Sequence, residues 1–135
     1  MKKPFFVVLI AFLTNFAVAQ SPLEIVNEFK KGNMSFVTKC STVPFTIQYV
    51  NTKSDTCLRK NLDVLEERLI QVLDVITLDE MNRSEMIKNT ETRIILVFKS
   101  YNKEGELESE SSLRFDFMRA KRSKKMKLYQ ISLAG

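Results

Sequence analysis

From Thr92 to the C-terminus the apolar residues recur at every second position, in runs broken by two turn-forming stretches. Arg93 to Tyr101 is apolar on both faces, the pattern of a strand flanked on each side. Asn102-Lys103-Glu104-Gly105 supplies turn residues with glycine where a left-handed conformation is needed, which predicts a hairpin. Leu107, Leu113, Phe115 and Phe117 then share one face of a long strand, and Glu106, Glu108, Glu110, Arg114 and Asp116 share the other. Arg122 to Lys125 makes a second turn, and Met126 to Leu133 a last strand. A three-stranded antiparallel meander with one apolar face cannot stand alone in water; something must cover that face.

The cover is in the preceding half. Ser21-Pro22-Leu23-Glu24 is a capping box with proline at the first helical position. Leu23, Ile25, Val26 and Phe29 follow at helical spacing, and Gly32 can take the left-handed conformation that ends a helix. Asn33 caps a short second helix in which Phe36, Val37 and Cys40 face inward and which Pro44 closes. Phe45 to Val50 alternates as a strand, and residues 51–60 read as a polar loop. Leu62, Leu65, Leu69, Val72, Leu73 and Ile76 form the clearest helical stripe. Thr77-Leu78-Asp79-Glu80 is another capping box, opening a short helix as far as Ile87, although residues 84–90 suit a strand equally. The fold expected is α+β, with N-terminal helices packed on a curved antiparallel sheet that ends in the meander.

Residues 1–19 read as an address. Lys2 and Lys3 precede an apolar run from Pro4 to Phe16, and Ala17-Val18-Ala19 places small residues where a signal peptidase reads. The run is shorter than the roughly twenty residues a bilayer span needs. Cleavage after Ala19 leaves one domain, residues 20–135, secreted or periplasmic and without a transmembrane segment. It also lowers the formal net charge from +5 to +3, which is no argument for nucleic acid. The two cysteines, Cys40 and Cys57, are expected as a structural disulfide in an oxidising compartment; buried free thiols and a redox pair are the alternatives.

Composition excludes much chemistry. The chain has no histidine, which removes the usual general base near neutral pH and the commonest metal ligand. Its three glycines lie too far apart for a phosphate-cradling loop. No cofactor and no metal site are expected.

The run Glu24-Ile25-Val26-Asn27-Glu28-Phe29-Lys30-Lys31-Gly32-Asn33 leads through a short helix into a strand. The chain closes on Phe115-Asp116-Phe117-Met118-Arg119, a lysine-rich turn and Lys127-Leu128-Tyr129-Gln130-Ile131. Taken together, these resemble the small secreted bacterial domains of unknown function in the nuclear transport factor two-like superfamily. The resemblance implies a curved antiparallel sheet wrapped around helices into a cone with a pocket. A strand expected between the long helix and the meander is not evident. Superfamily enzymes place His, Asp and Tyr in the cone, and no such set matches here residue by residue. The resemblance therefore implies a non-enzymatic domain that binds a protein or holds a pocket.

Three groups of residues are candidates for chemistry. Arg119, Lys121, Arg122, Lys124, Lys125 and Lys127 crowd one hairpin and could hold an anion; a solvated turn that blocks edge pairing is the plainer reading. Glu104, Glu106, Glu108 and Glu110 recur at every second residue but lack the rest of a calcium shell. Asp116 with Tyr49, Tyr101 or Tyr129 could transfer a proton if burial raised the carboxyl pKa, yet alternation sets Asp116 opposite to Phe115 and Phe117. The function expected is a non-catalytic interaction or accessory domain with a protein partner, a homodimer among the possibilities. A carrier of a small hydrophobic or anionic ligand is the first alternative, and a His-independent lyase or isomerase the second.

Overall fold

The structure, a computed structural model, describes residues 21–49, 55–57, 62–121 and 125–134. The signal-like segment 1–19 lies outside them. The elements run α1 Pro22–Lys30, α2 Met34–Lys39, β1 Ser41–Tyr49, β2 Asp55–Cys57, α3 Leu62–Gln71 with a 3-10 turn at Val72–Asp74, α4 Leu78–Asn82, β3 Glu85–Asn89, β4 Arg93–Tyr101, β5 Leu107–Arg119 and β6 Met126–Ala134. No helix among the described residues is long and apolar enough to cross a membrane.

Local chemistry sets most helix ends. The Ser21 hydroxyl accepts from the Glu24 N–H at 3.2 Å and Pro22 occupies the first turn of α1. Gly32 ends the turn that follows at φ 82°. The Asn33 side chain accepts from the Phe36 N–H at 3.4 Å to start α2, and donates to Glu28 Oε2 at 2.9 Å. That hydrogen bond, aided by Lys31, holds the Glu28 carboxyl below its ordinary pKa. At α4 the full capping box forms, with Thr77 and Glu80 exchanging backbone and side-chain bonds of 2.9 and 3.1 Å.

Three elements differ from the sequence expectation. The first is β2 Asp55–Cys57, which lies within the stretch 51–60 read as a loop and is a strand through its pairing with Phe45–Ile47 of β1. The helix after Thr77 stops at Asn82, and the missing strand follows as β3, so the meander has four strands. The short second helix closes at Lys39 and β1 begins before Pro44. Pro44 is tolerated in a strand because the β1–β6 register is irregular between Ser41 and Thr46, where no ladder N–H is demanded.

The six strands lie in the order β2-β1-β6-β5-β4-β3. All neighbouring pairs are antiparallel except β1 with β6, which run parallel and make the sheet mixed. Register irregularities interrupt the ladders between β1 and β6, β3 and β4, β4 and β5, and β5 and β6. Bulges of this kind bend a sheet and tighten its twist. The helices fill the inner face: α1 contacts β4 and β6, α4 contacts β4, and α3 packs on α2 and β2.

Ile25, Val26 and Phe29 from α1, Leu65, Leu69, Val72 and Ile76 from the α3 stripe, and Met81 from α4 are buried. They meet Phe45, Ile47, Ile94, Leu96, Leu113, Phe115, Leu128 and Ile131 from the sheet. At about 1.5–3 kcal/mol per fully buried apolar side chain, this interior is the main favourable term. A Cβ at Gly32 would add left-handed strain and approach Leu78 Cδ1 at 3.2 Å. Gly32→Ala is therefore expected to destabilise by about 1 kcal/mol or more, read as a lower urea midpoint with an unchanged slope.

Candidate functional site

The described residues build a concave region at each face of the sheet. The first is the mouth of the cone. Phe98 and Ser100 on β4 lie opposite Ser111 and Ser109 on β5, and Val75, Ile76, Glu80 and Arg83 close the other side of a cleft of about 390 Å³. Of its charged residues Glu80, Arg83 and Lys99, two are engaged: Glu80 caps α4, and Arg83 pairs with Asp79 at 3.1 Å with both side chains largely exposed. Such an exposed pair contributes little. Deeper in, the cone is full. Phe29 meets Phe115 edge to face with ring centroids 5.2 Å apart and planes at 79°, so the cleft ends at side chains that pack the core.

The second region is on the outer face. Arg93 stands opposite Asp116, Asp116 opposite Gln130, Arg114 opposite Ser132, and Ser132 opposite Gln48. Asp116 is only 2% exposed. Arg93 Nε donates to its Oδ1 at 2.7 Å and Arg114 Nε to its Oδ2 at 3.0 Å. Arg114 also donates to the Ser132 hydroxyl at 3.2 Å, and Gln130 Nε2 to the same oxygen at 3.0 Å. The arginine stems cover the carboxylate that their head groups bind. Asp116 holds the Arg93 guanidinium above its ordinary pKa, chiefly through that hydrogen bond. Beside this clamp an open depression of about 580 Å³ is lined by Lys88, Thr92, Arg93, Asp116, Phe117, Met118 and Tyr129.

The residues singled out from sequence are dispersed. Arg119, Lys121 and Lys125 are exposed on the β5–β6 hairpin and Lys127 is half-buried; Arg122 and Lys124 lie outside the described residues. This hairpin is at the opposite end of β5 from the cone mouth. Glu104, Glu106, Glu108 and Glu110 are exposed but do not point one way: Glu104 is in the turn and Glu108 is the extra residue of a bulge. Among the described residues no group of His, Cys, Asp and Glu is arranged to hold a metal.

Asp116 faces away from the phenylalanines, as alternation requires, yet it is buried. Both its oxygens accept from guanidinium groups, and Tyr129 shares its depression without a hydrogen bond to it among the described residues. Tyr101 is exposed at the cone mouth, and the Tyr49 side chain lies outside the described residues.

Cys40 is a buried free thiol, and burial pushes its pKa up. The side chain of Cys57 lies outside the described residues, and the expected Cys40–Cys57 bridge with it. The clamp itself was not anticipated, although Arg114 and Asp116 at adjacent same-face positions carried part of the signal.

No protein-family model and no curated protein matches the sequence. Solved structures do match. A DUF4783 family protein from Bacteroides uniformis aligns at 12% identity over 84% of this chain and 94% of that chain, with a TM-score of 0.50. Another from Bacteroides ovatus aligns at 8% identity over 85% and 96%, also at 0.50. An NTF2-like protein with a cystatin-like fold from Novosphingobium aromaticivorans aligns more loosely, at 13% identity over 93% and 86% and a TM-score of 0.45. The chain shares the fold of these DUF4783 proteins. At these identities the likeness carries the fold and no activity.

Asp116→Asn leaves two guanidiniums facing a neutral amide and is expected to cost about 2 kcal/mol, measured by chemical denaturation. In the reduced protein, Cys40 should resist iodoacetamide at pH 8 while folded and react rapidly once urea unfolds the chain, with the modified fraction followed by mass spectrometry.

Proposed function

We propose that this chain is an exported, non-catalytic interaction domain. The observation that carries the reading is the filled cone. Phe29 and Phe115 occupy its interior, and among the described residues Asp116, on the outer face, is the one buried carboxylate. An enzyme of this architecture needs an acid or base free to exchange a proton where a substrate fits. The buried Asp116 has neither oxygen free for that task. Export draws its support from the basic start, apolar run and Ala17-Val18-Ala19 of residues 1–19.

A carrier is the second reading, and it rests on the cone mouth. The hydroxyls of Ser100, Ser109 and Ser111 have no protein hydrogen-bond partner among the described residues, and these residues line that cleft beside Phe98 and Tyr101. Those groups suit a small, partly polar molecule better than a wholly apolar one.

Native mass spectrometry of the protein exported by its own leader separates the readings. The expected species is residues 20–135 with no retained small molecule, as a monomer or a complex with a protein partner or second copy. Loss of two hydrogens would report a Cys40–Cys57 bridge formed on export. A stoichiometric small ligand would replace the interaction reading with the carrier. Retention of residues 1–19 on a membrane-extracted species would overturn export.

A further inference from the structure

The outer-face depression holds an excess of positive charge aimed by a buried group. Asp116 accepts one hydrogen bond from each of two arginines, and both use Nε. The lining itself holds Arg93, Lys88 and Asp116, and Asp116 is shared with Arg114 beside it, so one carboxylate faces more than one cation. The two terminal nitrogens of Arg93 have no protein partner among the described residues, and its side chain is 39% exposed. A guanidinium anchored through Nε presents its remaining N–H fork in a fixed direction, the geometry that binds an oxyanion.

The anchoring extends inward. Ser132 accepts from Arg114, Arg114 and Arg93 bind Asp116, and Asp116 is buried, so Arg93 is held at one end of a chain of hydrogen bonds. Fixing the donor in advance removes the rotamer entropy that a free surface arginine loses on binding. The bulge between β5 and β6 makes Tyr129 the extra residue beside Asp116, and its ring lines the depression with Thr92, Phe117 and the 43%-exposed Met118. Glu85 and Glu91, the acidic residues of the flanking segments, are not in that lining. The basic hairpin that begins at Arg119 continues from Met118 and extends the positive field that would draw an anion in.

We propose that Arg93, Lys88 and Tyr129 form a binding site for an oxyanion attached to an apolar group, the anion on the Arg93 fork and Lys88, the apolar part over Met118 and Tyr129. The site is on the face opposite the cone and stands whether or not the chain is exported. The same chemistry is offered by a free aromatic or aliphatic carboxylate and by an acidic side chain next to an apolar one on a partner protein.

The test is a titration followed by amide and Arg Nε–H NMR signals, with sodium benzoate and with the peptide acetyl-Asp-Phe-amide. Saturable shifts at Lys88, Thr92, Arg93, Met118 and Tyr129 are expected with at least one probe. The tighter of the two identifies the source as free ligand or partner side chain. Arg93→Lys keeps the charge and loses the fork, and should weaken binding at least tenfold. Should that variant unfold for want of its Asp116 contact, Lys88→Gln and Tyr129→Phe decide, since among the described residues neither side chain is hydrogen-bonded to the clamp; each should weaken binding about threefold or more. No saturable response, responses untouched by both of those variants, or shifts confined to the 119–127 hairpin that vanish with salt would overturn the site.

Discussion

Phe29 meeting Phe115 edge to face is the contact around which this fold is arranged. It joins the last turn of the first helix to the middle of the longest strand, and both rings are wholly buried. Helix α1 can lie across β4 and β6 only if its Ile25, Val26 and Phe29 face the sheet together. Close packing at interior density leaves little room for a second occupant. Among the described residues, the two rings occupy the space between the first helix and the sheet.

What the fold leaves open is therefore at its surfaces, and the two faces differ in kind. The inner face is apolar and grades into serine hydroxyls only at the mouth. Across the outer face runs a polar network from Gln48 through Gln130 and Ser132 to Arg114, Asp116 and Arg93. Burying a carboxylate on a face that could have been plainly solvated is costly unless its oxygens are fully satisfied. Here they are, and the arrangement fixes the direction of two arginines. A partner that reads this face would meet oriented charge, which favours specificity over bulk affinity.

The helices were readable because their signals are local. Ser21-Pro22, Gly32, Asn33 and the Thr77–Glu80 box each act within a few residues, and each is found in place. The Leu65–Leu69–Val72–Ile76 stripe was equally plain, since a helical period reports burial without reference to any other element. Strand β3 was ambiguous for the opposite reason. Glu85–Asn89 is short and almost wholly exposed, so it has no apolar alternation to declare it, and only pairing with β4 makes it a strand. Pro44 misled in the same way, because its place in β1 depends on an irregularity in the ladder to β6.

Sequence alone thus determined the α+β class, the hairpin at Asn102–Gly105, the sharing of one face by Leu113, Phe115 and Phe117, and the absence of histidine chemistry, but not which face turns inward. Tertiary structure alone decided which side chains meet across strands. Beyond the hairpin a single extra residue at Glu108 shifts the β4–β5 register by one, and it is this shift that sets Arg93 against Asp116. Without it Arg93 would fall opposite Phe115, and since faces alternate with every residue, the clamp would not exist. A second extra residue at Tyr129 completes the depression beside it. Bulges leave no mark in composition or period, because their position is settled by how the whole sheet bends around the helices it covers.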